Sequence, residues 1–498
     1  MLDVVIPGIM SVINVPTLLF IFLGVGVGIV FGAIPGLTAN MGVALSLPLT
    51  YGMSSIQAMS LLMGIYIGGI SGGLIAAVLL NIPGTPASIT TCFDGYPLTQ
   101  KGEAGRALGA GIFSSFVGGA IGITLLIFFA PFIAKIAIKF GPHEYFSVSI
   151  FALTMLASLS KKSLIKGLLS GVLGIAVAMV GVSPVDAFPR YTFNVRQLYA
   201  GFALLPVLIG IYSVSEIIKP TNDQSFKTST DFKLKGFGFT IKEFFGQIYN
   251  LIRSSLIGLG IGVLPGIGAS TSNIIAYVTA KNQSKTPEEF GKGSIEGLMA
   301  SESANNAGIG GALIPLMTLG IPGDSVTAML LGGFMIHGLR PGPLLFVNSG
   351  KIVYGIFTAL IIANFMMLFM QYYGIKVFTR LLSIPRHILL PFVFVLCVVG
   401  AFGANNRVFD VYTLLGFGIL GIVLNGLKFP LPPLVLGFIL GPIVETNLRR
   451  GLALGEGSFS LFITKPISAV FLAVAVISII LSAYKRIKQG GLFDSSDD

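Results

Sequence analysis

Charge is what this chain lacks. Of its 498 residues only 10% are Asp, Glu, Lys or Arg, where a soluble domain carries about 25%. No charged residue occurs from Val4 through Phe93. No soluble fold leaves so long a segment uncharged, so the chain reads as a polytopic helical membrane protein. Tryptophan is absent altogether, which leaves Tyr and Phe as the interfacial anchors. Two cysteines, Cys92 and Cys397, sit in apolar surroundings and form no paired framework; each is expected to be a buried small hydrophobe. His143, His337 and His387 have no metal-ligand spacing. The N-terminus has no basic region ahead of its first apolar run, so that run is expected to stay as a helix rather than be cleaved.

What is present is apolar sequence, 54% of the chain, at a mean hydropathy of +0.90. Uncharged runs follow the first: Ala107–Ala134, Gly167–Val185, Gln197–Ser215, Ser254–Ala280, Ile352–Ile375, His387–Asn406 and Pro466–Tyr484. Each is near or above the roughly 18–20 residues that span a bilayer. Split where they are long, they give about 10–12 crossings. The net charge of +11 does not point to nucleic acid, because no soluble domain gathers it. Lys161, Lys162 and Lys166, the stretch Lys219–Lys242, and Lys485, Arg486 and Lys488 lie between or after the apolar runs. The positive-inside rule puts them, and the C-terminus, in the cytoplasm.

The stretch 219–243 divides the chain near its middle, and the halves resemble each other. "GVGVGIVFGAIPGLTAN" at 24–40 matches "GLGIGVLPGIGAS" at 258–270, and "GGLIAAVLLNIPGTPAS" at 72–88 matches "GGALIPLMTLGIPGDS" at 310–325. Pro35 to Pro265 is a step of 230, Pro83 to Pro322 of 239 and Gly95 to Gly333 of 238. An insertion in the polar stretch Lys281–Glu302 explains the jump. The expected organisation is a first repeat half at 1–218, a cytoplasmic linker at 219–243, a second half at 244–484 and a cytoplasmic tail at 485–498. The fold class is all-α, with two repeated and inverted halves containing broken helices.

Each half breaks its helices twice. A backbone break at membrane depth survives only against protein or a watery cavity, and paired breaks in two halves point to a transport site. The breaks are also built as helix starts. Thr85 can cap and Pro86 fits the first position; Asp324 holds the equivalent place; Thr38 and Ser270 follow the other two Pro-Gly pairs. Helix N-termini bind anions through free N–H groups. The candidate substrate residues are therefore Pro35, Gly36, Thr38 and Asn40; Pro83, Gly84, Thr85 and Ser88; Gly266 and Ser270; Pro322, Gly323 and Ser325; and Asn305. Candidate cation ligands are Asn81, Glu302, Asn306, Asp324 and Thr327, with Asp324 equally readable as a plain N-cap and Asn81 as a hydrogen-bonding partner of a neighbouring helix. A solvated Glu302 with its Asn pair packing between helices is the bland alternative. The pairs Gly72–Gly73 and Gly310–Gly311 read as close-packing sites. Arg407 and Asp410 read as an interfacial charge pair before a gate.

These residues carry a resemblance. "GAIPGLTANMGVALSLPLTYGM", "LLNIPGTPASITTCFDGYPLTQKGEAGRALG", "GVLPGIGASTSNIIAY" and "FGKGSIEGLMASESANNAGIGGALIPLMTLGIPGDSVTAMLLGGFMIHGLRPGPLLF" make the chain resemble the large membrane subunit of tripartite tricarboxylate transporters, over essentially its whole length. Asn40 and Ser301 depart from the Thr and Pro expected of typical members. The resemblance implies a permease of the bacterial inner membrane, multi-pass, driven by Na+ or H+. It implies no other cofactor, a small four-helix membrane partner and a periplasmic protein that delivers a citrate-like carboxylate. It places the translocation core at Pro35–Asn40, Asn81–Ser88, Pro265–Ser270, Glu302–Asn306 and Pro322–Thr327. The mechanism it suggests is alternating access. The alternatives are a carboxylate-selective channel, which would need a continuous polar pore, and a transporter of another small organic anion. An enzyme would need a catalytic constellation, and the sequence displays none.

Overall fold

The computed structural model describes residues 2–158, 163–218, 240–265, 269–381 and 386–488. Most of the expected linker, 219–239, and the end of the tail, 489–498, lie outside the described residues. The first half runs through α1 (Leu2–Met10), α2 (Val15–Ala33), α3 (Ala39–Ser46), α4 (Ser55–Leu80), α5 (Ile89–Gln100), α6 (Ala104–Ala137), α7 (Pro142–Ser158) and α8 (Leu164–Ala178). A short hairpin of β1 (Gly181–Val182) and β2 (Pro189–Arg190) follows, then α9 (Leu204–Ile209), a π-turn at Gly210–Val214, and α10 (Ser215–Ile217). The second half holds α11 (Ile241–Gly262), α12 (Ala269–Gln283), α13 (Ile295–Leu319), α14 (Ser325–Ile336), α15 (Pro343–Asn348) and α16 (Gly350–Leu381). It closes with α17 (Arg386–Asn405), α18 (Val408–Gly426), α19 (Leu431–Leu454), α20 (Ser460–Thr464) and α21 (Pro466–Lys488).

The described residues are all-α apart from that hairpin. Among the described residues seven helices are long and apolar enough to cross a membrane, where 10–12 crossings were expected. Part of the difference lies in the breaks: Ser254–Ala280 is divided between α11 and α12, and α8, α9–α10 and α14 are apolar helices shorter than a bilayer span. Pro265 follows α11, and Gly181 and Gly338 turn to positive φ behind α8 and α14.

The helices form two compact units. One takes Met1–Ala134, Pro220–Leu264 and Gly268–Leu396; the other takes Lys135–Lys219, Pro265–Ile267 and Cys397–Asp498. Each half of the chain therefore gives its earlier part to one unit and its later part to the other.

The first unit is built around α4 and α13. Every residue of α4's apolar window is buried, and α13 is buried from Gly297 to Thr318. Helices this apolar, or this free of exposed polar groups, belong inside a bundle. Glycine lets their neighbours approach to backbone contact. A Cβ on Gly28 of α2 would fall on the Ile65 carbonyl oxygen of α4, and one on Gly258 of α11 on the Ala304 carbonyl oxygen of α13. The steps 28 to 258 and 65 to 304 are the 230 and 239 of the sequence repeat. Gly32 against Gly69 and Gly262 against Gly308 repeat the match. Gly72 and Gly311 are close-packing sites as expected, a Cβ there meeting Ile29 O at 2.6 Å and Gly262 Cα at 2.9 Å. Small-residue seams of this kind hold helices together where lipid removes the hydrophobic drive.

In the second unit α7 packs on α19 and α21, and α8 on α19, with a Cβ on Gly174 falling on Leu434 O. Arg407 and Asp410 form the expected charge pair. Arg407 Nη2 donates to Asp410 Oδ1 at 2.8 Å and Asn405 Nδ2 to Oδ2 at 2.7 Å, at the start of α18. Asp410 is fully buried, while Arg407 is a third exposed. Arg407→Ala strands that carboxylate, and should destabilise the fold by about 3 kcal/mol, more than Asp410→Asn does. Thermal unfolding in detergent measures the ranking, and the reverse order would remove this role. Cys92 and Cys397 are both buried and free.

Candidate functional site

The first break follows α2. Gly36 turns left-handed, at φ +89°, and Thr38 caps α3, its Oγ1 accepting from Met41 N at 3.4 Å. The second follows α4. Asn81 takes a left-handed conformation, φ +57° and ψ +29°, and ends the helix in the way a C-terminal cap does. Gly84 then passes so close to α4 that a Cβ would lie 2.8 Å from Gly73 Cα. Thr85 N donates to Ser88 Oγ at 3.1 Å, starting a single 3₁₀ turn at Pro86–Ser88 that runs into α5. The fourth break repeats the second one 239 residues on. Gly320 is left-handed where Asn81 is, Gly323 lies against Ala312 as Gly84 lies against Gly73, and Asp324 caps α14 as Thr85 caps its turn. The third break lies between α11 and α12, where 266–268 are not among the described residues. Gly266 therefore lies outside the described residues, and nothing is described of the Ser270 side chain.

The breaks meet in cross-half pairs. α3 packs on α14, and α12 packs on the turn Pro86–Ser88 and on α5. In the first pair Asn40 Nδ2 and Ser325 Oγ are 3.0 Å apart, and Ser325 Oγ and Asn40 Oδ1 3.2 Å. The Asp324 carboxylate beside them is supplied with donors from within the unit. Oδ1 accepts from Thr327 N and Thr327 Oγ1, each at 2.7 Å, and Oδ2 from Tyr66 OH at 2.6 Å. In the second pair Asn273 Nδ2 of α12 donates to Ala87 O, while its Oδ1 has no partner among the described residues.

Glu302 lies elsewhere in the same unit. It is fully buried, not a solvated residue at a helix start. Thr91 Oγ1 of α5 donates to its Oε1 at 2.5 Å and Ser115 Oγ of α6 to its Oε2 at 2.9 Å. Asn306 Nδ2, one turn on, donates to the Glu302 main-chain oxygen at 3.1 Å and reaches Oε2 at 3.5 Å. Asn305 Nδ2 sits 3.5 Å from Ile70 O.

Accessibility separates the sequence-derived residues into two groups. Gly36, Asn81 and Pro83 are exposed, and Thr38, Asn40, Asp324 and Ser325 are partly so. Pro35, Gly84, Thr85, Ser88, Pro322, Gly323 and Thr327 are buried, as are Glu302, Asn305 and Asn306.

Sequence reasoning missed Tyr66, Thr91, Ser115 and Asn273, which supply the partners just described. It also missed Asp94, whose Oδ1 accepts from Gly291 N, Gly293 N and Ser294 N at 2.8, 2.9 and 2.8 Å. Asp94 did carry a signal, since it is the charge that ends the long uncharged run. The other four are ordinary hydroxyl and amide residues in apolar helices, and their spacing says nothing of their partners.

A family described as the tripartite tricarboxylate transporter TctA family matches residues 18–436. Over 467 residues, 94% of this chain and 93% of the relative, the chain is 34% identical to an Agrobacterium vitis protein described as an uncharacterized 52.8 kDa protein in the TAR-I ttuC' 3' region. It is 38% identical over 228 residues to a second A. vitis protein, from the TAR-II ttuC' 3' region, covering 46% of this chain and 94% of that one. No solved structure matches.

Proposed function

The chain belongs to the tripartite tricarboxylate transporter TctA family, and from that premise we propose that it imports citrate-like di- and tricarboxylates by cation-coupled alternating access. The coarse role, a multi-pass permease subunit of a tripartite transporter, follows from membership and from the apolar helices. The observation that supports the finer reading is the duplicated break. Two halves deliver the same helix–cap–helix device, at a constant step of 239, into one packed unit. A scaffold has no use for broken helices, whereas a transport site uses their N-termini for anions and their freed carbonyls for cations.

In this reading the carboxylate binds against Gly36, Thr38, Asn40, Pro83 and Ser325, beside the turn that Thr85 and Ser88 brace. The driving cation is Na+ or H+. The partners are a small four-helix membrane subunit and a periplasmic binding protein, and the membrane is the bacterial inner membrane. With Lys101, Lys166, Lys281, Lys428 and Lys488 all placed on the cytoplasmic side, α11 and α12 leave from and return to that side. α2 and α3 then do so from the opposite side, which makes the repeat halves 1–218 and 244–484 inverted.

Thr85→Ala tests the reading. Its hydroxyl lies 3.1 Å from Ser88 Oγ and completes the turn. Losing a cap costs about 1 kcal/mol, which corresponds to a roughly fivefold slower uptake of radiolabelled citrate in vesicles holding the complete system. Membrane insertion should be unchanged. Uptake at the wild-type rate would separate the break from transport, and uptake that fails to saturate would favour a channel.

A further inference from the structure

We propose that Glu302, Thr91, Ser115, Asn305 and Asn306 form a binding site for one Na+ ion. The inference deepens the cation coupling and rests on that reading for its role in transport, but not for the binding itself. Its starting point is a charge without a counterpart. Glu302 is fully buried, and no salt bridge among the described residues involves it. A carboxylate removed from water with no cation beside it is strongly disfavoured.

The surroundings say which cation. Asn305 Oδ1 and Asn306 Oδ1 are both buried, and among the described residues neither has a hydrogen-bond donor. Buried amide oxygens are nearly always partnered, so two orphans beside an uncompensated carboxylate are a specific anomaly. Asn306 is fixed to Glu302 through its own amide nitrogen, and Asn305, three residues after Glu302, lies on the same face of α13. The Thr91 and Ser115 hydroxyl oxygens, each engaged through its hydrogen, keep lone pairs free. The set therefore offers carboxylate, carboxamide and hydroxyl oxygens, the hard ligands an alkali cation takes. One carboxylate balances one positive charge, where calcium sites gather several. A proton would neutralise Glu302 but could supply a donor to only one of the two amide oxygens. Complete burial suits a bare ion and excludes the organic substrate. Asp324 makes the contrast, since its two oxygens already receive three donors and it is partly accessible.

The test needs no transport. The purified full chain is unfolded by heat in detergent at pH 8, with NaCl titrated against choline chloride at constant ionic strength and no carboxylate present. A saturable rise of the unfolding midpoint with Na+ is expected, absent in Glu302→Gln, and with apparent Na+ affinity about tenfold weaker in Asn306→Ala and Ser115→Ala. Ser115→Ala keeps the carboxylate and guards against a folding defect in the first variant. The site is overturned if Na+ and choline give the same midpoint in wild type, if Glu302→Gln keeps the Na+ response, or if the midpoint follows pH and ignores Na+. Carboxylate uptake by a chain without that response would leave the transport reading standing and remove this site alone.

Discussion

Asp94→Ala should lower the stability of the fold by about 3 kcal/mol or more, a larger loss than most single substitutions cause. The residue is fully buried at the middle of α5, and one of its oxygens accepts three backbone N–H groups from the loop that leads into α13. Three donors converge on one atom because Gly291 and Gly293 hold φ at +85° and +107°, which turns successive amides to the same side. Removing the carboxylate leaves those donors facing an apolar methyl. The Ser294 N–H is buried and finds no water in its place, while Gly291 is exposed and Gly293 partly so, and these two lose less. Asp94→Asn keeps an acceptor at the same position without the charge and should lose less. The two variants, compared with wild type by thermal unfolding in detergent, give the measurement. An Asp94→Ala protein within about 0.5 kcal/mol of wild type would mean that the loop is held by other contacts.

The same clasp bears on the site. Thr91 stands three residues before Asp94 on α5, and Glu302 eight residues after Ser294 on α13. The Thr91–Glu302 bond at 2.5 Å therefore depends on α5 and the start of α13, which Asp94 ties together, with Lys101 Nζ adding a bond to Lys292 O at 2.7 Å. Loss of Asp94 should weaken ion binding as well as stability.

What the sequence discloses about this site is what is local. Pro-Gly pairs and the small polar residue after them fix where helices stop and restart, and the Asp324–Thr327 cap is a three-residue spacing. The step between the halves, 230 at the first break and 239 at the second, is a comparison of the sequence with itself. The partners of Glu302 and Asp324 are of another kind: Thr91, Ser115 and Tyr66 lie 211, 187 and 258 residues away. No periodicity encodes such a meeting, because any buried hydroxyl in an apolar helix looks alike. The two interleaved units were illegible for the same reason, since apolar helices of either unit have the same composition. Asn81 shows a local feature with two meanings. Its side chain suggested a ligand, while the positive φ shows that its backbone ends α4. A polar residue near a helix end serves both readings until the backbone is seen.

Gly258→Leu should be the most disruptive change in the α11–α13 seam, costing about 3 kcal/mol or more, while Gly260→Leu on the same helix should be nearly neutral. The two glycines face opposite ways. A Cβ on Gly258 falls on the Ala304 carbonyl oxygen and 2.7 Å from its Cα, whereas a Cβ on Gly260 has nothing within 4 Å. The obstruction at Gly258 is backbone, so no rotamer change relieves it and the helices must separate. Separation also opens Gly262, where a Cβ would be 2.7 Å from Gly308 O. In a bilayer the lost contact is not offset by hydrophobic association, because lipid is as apolar as the helix. The yield of monodisperse protein after extraction, with its unfolding midpoint, reports the difference. Equal behaviour of the two variants would sink the packing argument. The consequence extends to the ion site, because Ala304 stands between Glu302 and Asn305 on α13. Any folded Gly258→Leu protein should carry those side chains displaced from Thr91 and Ser115, and its Na+ response should fall with its stability. Gly260→Leu should keep both.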